Sequence, residues 1–258
     1  MRQRLPAAIN VDTGMNRLGL TPERARRYVE EGLPEGIEPV LFASHFACAD
    51  TPEHPMNARQ SERFAALAAA VRDHWPRTRL SLANSAATLD DPRTHYDLVR
   101  PGIAVYGGRA TTAHPPLAPV ATLESRILQI RDVPAGESVG YGAAETVARD
   151  SRVAIASIGY ADGYLRAKGG TDAKAGAPVG VAGTRCRLVG RVSMDLVAID
   201  VTDVPAGSVR RGDWVELFGA TIPIDEAADA AGTISYELLT GLSRRAARTY
   251  LAPPGLGT

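Results

Sequence analysis

Residues 7–19 read AAINVDTGMNRLG, and the pattern within this stretch recurs along the first part of the chain. The apolar run 7–12, which ends in Asp12, predicts a strand. Gly14 permits a turn after it, so we expect Arg17 just beyond the edge of a sheet. An arginine held there can bind a carboxylate through two hydrogen bonds. The alternative is a surface arginine beside a turn.

The residues that follow alternate between helical and strand-like stretches. Thr21 and Pro22 predict the start of a helix that runs to about Glu31, and apolar residues at helical spacing predict another at about 56–75. Further strands are predicted at 39–46, 79–85 and 96–102. This alternation indicates a parallel sheet with right-handed crossovers. Four such units form half of an eight-stranded α/β barrel or a small open sheet.

The segment TTAHPPLAP, residues 111–119, contains three prolines and predicts a boundary between domains 1–116 and 117–258. Beyond it, strand-like runs are separated by turns, as in TLESRILQIRDV, RVAIASIGYADG and DWVELFG. Short helices are predicted at about 224–231 and 235–245. The Gly/Ala-rich stretch 167–177 is interpreted as a surface loop. The second domain is therefore predicted to be mainly antiparallel β structure.

Composition excludes several classes of protein. The 258 residues carry no net charge, so nothing in the charge balance favours nucleic acid or acidic membranes. No apolar run approaches the ~20 residues of a membrane helix, and none near the N-terminus resembles a signal peptide. The two cysteines, Cys48 and Cys186, are far apart. They indicate reduced thiols and a cytoplasmic location.

Polar side chains follow the predicted strands of the first domain. His45 in this position is a candidate ligand, base or partner for a flat ring. With Asp12 and Asp50 it raises the alternative of a metal hydrolase, but no tight ligand pair supports a metal site, and none is predicted. A lone histidine at a sheet edge is also commonly structural.

A possible phosphate site is formed by Ser85 and the backbone at Gly102 and Ile103, which precede helical segments. Asn84 lies beside it, and Arg100 comes two residues before Gly102. Together these groups could hold a phosphorylated aromatic ring, although serine and glycine in loops are usually only loop residues.

In the second domain Tyr141 lies between two glycines, in VGYGAA, where its side chain should be exposed. A tyrosine can act as a proton-transfer base if a neighbouring cation lowers its pKa. The alternative is that this tyrosine and those of IGYADGY and ISYELL only pack within the β domain.

Taken in order, DTGMNRLG, HFACAD, NSAATL, VRPGIAVYG, GYGAA, GYADGY, GRVSMD and ISYELL resemble the alanine racemase family over nearly the whole chain. The resemblance implies an enzyme of the fold-type III class that uses pyridoxal 5'-phosphate to interconvert L- and D-alanine and so supplies D-alanine for peptidoglycan. It also implies an eight-stranded α/β barrel followed by a β domain. The implied assembly is a head-to-tail homodimer whose sites combine one subunit's barrel with the other's β domain.

The resemblance also implies roles for single residues. Tyr141 corresponds to the tyrosine base from the partner subunit, Arg100 to the arginine at the pyridine nitrogen, and His45 to the histidine that links the two. The cofactor-binding set is Asn84, Ser85, Arg100, Gly102, Ile103 and Tyr236. The substrate-binding set is Arg17, Met194, Tyr160 and Asp195, with Tyr160 at the entrance channel.

Two features depart from the family pattern. The family's cofactor lysine lies in a V-K-A-x-A-Y-G motif upstream of DTGMNRLG, and this chain has only Lys168 and Lys174, both in the other domain. Asn10 and Ser81 stand where the family often has a modified lysine and a second histidine.

We therefore expect the chain to correspond to the C-terminal two-thirds of a racemase, beginning at about the fifth barrel strand, and to be inactive alone. Alternatives are a lysine-less, non-catalytic homologue and a racemase of broader amino-acid specificity.

Overall fold

The computed structural model describes residues 4–251. The chain divides into two compact units between Leu117 and Ala118. Each unit encloses an apolar cluster of its own. Each can therefore be understood from its own packing.

The first unit alternates strands with helices. Its elements are β1 (Leu5–Asn10), α1 (Pro22–Glu31), β2 (Ile37–Ala43), α2 (Pro55–His74), β3 (Arg79–Ser81) and α3 (Ser85–Asp90). The described strands form a three-stranded parallel sheet in the order β1-β2-β3. The predicted alternation and the parallel sheet are confirmed, and the strand ends differ from the predicted ones by a few residues.

Local sequence explains the helices of this unit. Thr21 caps α1, because its hydroxyl accepts the backbone N–H of Arg24 at 3.3 Å, and Pro22 occupies the first turn. In α2 the buried apolar residues recur at helical spacing and pack on the sheet. The ring of Phe64 stacks on that of Phe42 in β2, with 5.8 Å between centroids.

The prediction of a strand at 96–102 is wrong. This segment follows β3 through only two backbone hydrogen bonds, from Asp97 N–H to the Leu80 carbonyl and from Arg100 N–H to the Ala83 carbonyl. Pro101 follows at once, and proline has no N–H with which to continue a ladder. Arg100 therefore lies in an extended loop rather than at a strand end.

The second unit is built mainly from antiparallel strands. They are β4 (Leu123–Val133), β5 (Ser138–Val139), β6 (Glu145–Thr146), β7 (Ser151–Ala156), β8 (Pro178–Val181), β9 (Thr184–Leu188), β10 (Val197–Asp200) and β11 (Trp214–Phe218). Two short helices follow, α4 (Ile224–Asp229) and α5 (Ser235–Gly241). The predicted antiparallel character and both helices are confirmed.

Within the described residues, six of these strands close into a barrel in the order β10-β7-β4-β11-β8-β9. Along β4, burial alternates with exposure, as expected where every second side chain faces a barrel interior. The sequence did not predict this closure. The structure thus shows a parallel α/β unit followed by a small antiparallel barrel, and the first unit has one strand fewer than predicted.

The stretch 167–177 is a loop, but the prediction that it lies at the surface is wrong for Lys168. Its side chain is only 1% exposed, and Nζ lies 4.5 Å from the centroid of the Tyr164 ring. Lys174, by contrast, is exposed and donates from Nζ to two backbone carbonyls. Along residues 4–251, no helix combines the length and apolar character needed to cross a bilayer.

Candidate functional site

The turn after β1 is shaped by Asp12. Its Oδ1 accepts the backbone N–H of Gly14 at 2.9 Å and that of Asn16 at 3.0 Å. Burial opposes the charged form, but the backbone N–H groups of the turn outweigh it and lower the pKa of Asp12. The carboxylate therefore stays ionised and fixes the turn, from which the exposed Arg17 extends.

Arg100 is half-buried among neutral acceptors. Its Nη1 donates to the Ser81 hydroxyl, and its Nη2 donates to the Ser44 carbonyl at 2.5 Å. The Ser81 hydroxyl in turn donates to the Leu98 carbonyl, which leaves its lone pairs directed to the guanidinium. Ser81 thus supports Arg100 where the family pattern has a histidine. Burial lowers the pKa of Arg100, yet arginine remains protonated in proteins.

His45 is the third neutral acceptor. Its Nδ1 lies 3.3 Å from Arg100 Nη2, and because arginine can only donate, Nδ1 must accept. Burial, then the charges of Arg100 and Arg17, lower the pKa of His45. The ring is therefore neutral at pH 7 with its proton on Nε2, from which it can donate to a further group.

A buried polar network that the sequence analysis missed holds the loops after β1 and β2 in place. Gln60 of α2 is fully buried, and its Nε2 donates to the Thr13 hydroxyl at 3.2 Å and to the His45 carbonyl at 2.9 Å. Its Oε1 accepts the N–H of Ala47 at 2.9 Å, and the hydroxyls of Thr13 and Ser44 are 2.8 Å apart. The loops after β1 and β2 are thereby tied to one helix.

The predicted phosphate-binding groups of the first unit lie close together. The Ser85 hydroxyl accepts the N–H of Gly102 at 2.7 Å and contacts that of Ala104 at 3.4 Å, at the start of a 3₁₀ turn that includes the buried Ile103. The Asn84 side chain caps α3 by accepting the N–H of Ala87 at 3.1 Å. Hydroxyl and backbone N–H donors of this kind suit the oxygens of a phosphate.

Three of the predicted site residues of the first unit share one cavity. Arg17, His45 and Arg100 line it together with Asp12 and Asn10, and its volume is about 210 Å³. A larger cavity of about 580 Å³ lies between α2 and α3 and includes none of the predicted site residues. The 210 Å³ cavity is therefore the better candidate, because the charged and titratable groups converge there.

In the second unit Tyr141 lies at the tip of the β5–β6 hairpin. Its side chain is 73% exposed, as predicted, in a 3₁₀ turn where Gly142 has a φ of 73°. A β-carbon on Gly142 would lie 3.2 Å from the Arg191 guanidinium, so the tip sits close to that cation.

Three other predicted residues of this unit are brought together. The N–H of Tyr160 donates to the Ser193 carbonyl at 3.1 Å, and that of Ala161 to the Met194 carbonyl at 3.0 Å. Asp195 follows Met194 in the chain, and its carboxylate pairs with Arg245 at 2.8 Å. Arg245 also contacts the carboxylate of Asp162 at 3.3 Å.

Tyr236 is exposed at the start of α5, and its backbone carbonyl accepts from Thr240. Nothing in the sequence marks Arg245 as part of this site, because the two carboxylates that it contacts, those of Asp162 and Asp195, are distant from it in the chain.

The metal-hydrolase alternative finds no support. Among the described residues, no three histidine, cysteine, aspartate or glutamate side chains form a group that could hold a metal ion. Asp12, which that alternative required as a ligand, instead uses Oδ1 to hold two backbone N–H groups.

The chain resembles known proteins along both units. The family model for the alanine racemase N-terminal domain matches residues 1–110, and that for the C-terminal domain matches residues 120–250. An alanine racemase from Rhizobium meliloti is 48% identical over 254 residues, which are 95% of this chain and 66% of that protein. The chain thus spans just under two thirds of that relative's length.

Solved structures agree with these matches. The biosynthetic alanine racemase from Pseudomonas aeruginosa aligns with a TM-score of 0.86 at 40% identity, covering 98% of this chain and 68% of that one. The alanine racemase from Bartonella henselae, solved with covalently bound pyridoxal phosphate, aligns with a TM-score of 0.82 at 36% identity, covering 95% and 66%. From the two family matches and these identities, the chain belongs to the alanine racemase family.

Proposed function

We propose that this chain provides the cofactor pocket and the tyrosine base of an enzyme that interconverts L- and D-alanine with pyridoxal 5'-phosphate. The observation that carries the proposal is Arg100, a half-buried cation held by neutral acceptors and adjoining a set of phosphate donors. The Bartonella henselae relative carries this cofactor covalently, and the relatives are named alanine racemases.

The donor chemistry fits the cofactor. Both Nη atoms of Arg100 donate to acceptors of the protein, whereas no described residue accepts a hydrogen bond from its Nε. Nε is therefore the donor that we assign to the ring nitrogen. An arginine can donate to a ring nitrogen without losing its own proton, which limits how far that nitrogen is protonated. We assign the phosphate to Ser85, Gly102, Ile103 and Tyr236, with Asn84 beside them in the cofactor-binding set.

When bound, pyridoxal phosphate withdraws electrons from the α-carbon of the amino acid and makes its proton acidic. The residues of this chain bind the substrate, orient it and exchange protons with it. Arg17 and the backbone N–H of Met194 hold the substrate carboxylate, while Tyr160 and Asp195 border the entrance. Tyr141 takes the α-proton as a phenolate or returns it as a phenol on one face, and the neutral His45 donates from Nε2 to orient the phenolic oxygen.

Racemisation needs a second base on the opposite face, which the family supplies as a lysine. Lys168 and Lys174 both belong to the second unit. We propose that the 258-residue chain alone does not racemise alanine. Incubation with pyridoxal phosphate, borohydride reduction and peptide mapping test this. Turnover with cofactor attached to Lys168 or Lys174 would overturn it.

The proposal includes the remaining properties of the family. The first unit is taken as part of an eight-stranded α/β barrel that binds the cofactor, and the second as the β domain that brings Tyr141 to a partner subunit in a head-to-tail homodimer. The 73% exposure of Tyr141 leaves its phenol free for such a partner. A cytoplasmic location and D-alanine supply for peptidoglycan belong to the same proposal.

A chimera tests the function directly. The part of the Rhizobium meliloti relative that lies outside the match is joined to this chain, and D-alanine formation is followed with D-amino-acid oxidase. We expect racemisation by the chimera and a loss of at least about 100-fold in kcat for Y141F, because that variant lacks the acid–base group. Y250F, which changes another exposed tyrosine, is the control. A folded, cofactor-loaded chimera without activity would refute the proposal.

The lysine-less, non-catalytic homologue is a second candidate, because the first unit carries the cofactor-type donors and no lysine. It predicts cofactor binding by the 258-residue chain as isolated from its natural host, without any covalent adduct.

A further inference from the structure

Glu145 is a buried carboxylate at the base of the hairpin that carries Tyr141. Its side chain belongs to β6, and the residue is only 5% exposed. Oε2 accepts the backbone N–H of Gly190 at 2.7 Å, and Oε1 contacts Nη1 of Arg187. Both oxygens are therefore partnered, as a buried carboxylate requires.

These contacts join the hairpin to the segment that precedes Met194. Val139 pairs with Glu145 across the hairpin, and a β-carbon on Gly190 would lie 2.5 Å from the Val139 carbonyl oxygen. Gly190 also has a φ of +72°, a conformation that glycine adopts without strain. The hairpin and the Gly190 backbone thus touch directly, and Glu145 fixes the contact.

Tyr141 depends on this support because its own contacts are few. Its side chain is largely exposed, and the next two residues, Gly142 and Ala143, both have positive φ angles of 73° and 44°. A non-glycine residue in that region is strained and persists only where its surroundings fix the backbone. The position of the Tyr141 phenol is therefore set from the base of the hairpin.

We propose that Glu145 is a positioning residue for Tyr141, and that it acts through its hydrogen bond to Gly190. The inference rests on the proposed role of Tyr141 in proton transfer. Arg187 is 42% exposed, so water can replace most of its interaction with the carboxylate. The hydrogen bond to the Gly190 backbone has no such replacement. An amide in place of the carboxylate keeps an acceptor for that bond, and its NH2 group then faces Arg187, which is exposed enough to turn into water; alanine removes the acceptor.

Hydrogen exchange on the full chain measures the positioning. E145A should speed exchange across residues 138–146 and at Gly190 by about tenfold, the effect of one lost buried hydrogen bond. The strands of the barrel should exchange as before, which verifies folding. E145Q should stay within about twofold of the unaltered chain, because it retains the acceptor.

Kinetics in the chimera separate positioning from a purely structural role. E145A should lower kcat by about 100-fold with little change in KM, because a base displaced by about 1 Å loses the proton-transfer geometry. E145Q should restore kcat to within about threefold. Glu216, whose Oε1 accepts two backbone N–H groups in another loop of the unit, gives the matched control E216A.

The outcomes distinguish the two proposals. If E145A leaves both exchange at residues 138–146 and kcat unchanged while Y141F is inactive, the positioning role is wrong and the proposed function stands. If E145A accelerates exchange and Y141F remains active, the hairpin is held as described but Tyr141 is not the base. Loss of kcat with E145Q as severe as with E145A would overturn the hydrogen-bond mechanism.

Discussion

Lys168→Met should stabilise the second unit at neutral pH. The Lys168 side chain is 1% exposed, and within residues 4–251 no carboxylate forms an ion pair with it. The burial of the ammonium is partly offset by a cation–π contact with the Tyr164 ring, whose centroid lies 4.5 Å from Nζ. Burial disfavours the ammonium and lowers the pKa of Lys168 from 10.5 to about 8. The folded chain therefore carries a penalty whenever Lys168 is protonated.

The magnitude follows from the two pKa values. A difference of about 2.5 units, at 1.36 kcal/mol per unit, corresponds to about 3 kcal/mol of folding free energy lost below pH 8. Methionine has a similar length and carries no charge, but it loses the cation–π contact, worth about 1 kcal/mol. K168M should thus be more stable than the unaltered chain by about 2 kcal/mol at pH 7.

The sign of the pH dependence is also defined. Between about pH 8 and 10.5 the unfolded chain binds the Lys168 proton and the folded chain does not, so the stability of the unaltered protein rises with pH across this window. K168M lacks that group. Its advantage over the unaltered protein should therefore shrink steadily from pH 7 to pH 10, and other titrating groups cancel in the difference.

Urea unfolding at several pH values reports on this unit when Trp75 of the first unit is replaced by phenylalanine in every variant, so that the fluorescence comes from Trp214 in β11. Lys174→Met is the matched control, because Lys174 is exposed and donates to the Ala167 and Ala230 carbonyls. K174M should gain no stability at pH 7. If K168M were less stable than the unaltered chain at pH 7, by an amount independent of pH, the ammonium would carry no burial penalty.

Three further substitutions test packing and charge by urea unfolding. Gln60→Leu should destabilise the first unit by about 3 kcal/mol, because buried N–H and carbonyl groups lose their partners; a loss below about 1 kcal/mol would contradict the network. Gly163→Ala should cost about 3 kcal/mol, since φ is +89° and the new β-carbon would lie 2.1 Å from the Gly241 carbonyl oxygen; a neutral result would rule out that close approach. Arg72→Gln should lower the free energy of unfolding by at most about 1 kcal/mol, because the ion pair with Asp97 is partly exposed, and by less in 1 M salt. A larger loss that does not depend on salt would argue against a surface ion pair.

The features that the sequence predicted correctly depend on neighbours in the chain. Thr21 and Pro22 define the start of α1 through contacts within one turn. Asp12 was expected at the end of a strand, and it lies just beyond β1, where it fixes the turn that carries Arg17. The motif resemblance then grouped Arg17, His45 and Arg100, and all three line one cavity. Neither periodicity nor spacing alone selected them.

The features that it missed depend on distant partners. Closure of the barrel needs β8 to pair with β11 and β9 with β10, and no local pattern specifies such pairs. Gln60 looked like an ordinary polar position on a helix, yet it contacts residues 13 and 47 positions away. Lys168 was assigned to the surface because it lies in a Gly/Ala-rich stretch, whereas the tertiary packing around Tyr164 buries its side chain.

The charge balance of the first unit's cavity favours an anionic ligand. Arg100 has only neutral acceptors, and Arg17 forms no ion pair among the described residues. The carboxylate of Asp12 already accepts backbone N–H groups, and burial, followed by the charges of Arg100 and Arg17, lowers the pKa of His45 and keeps its ring neutral. Neither arginine can neutralise its charge by losing a proton. The cavity therefore holds positive charge, and under the function proposed above the substrate carboxylate at Arg17 would balance it.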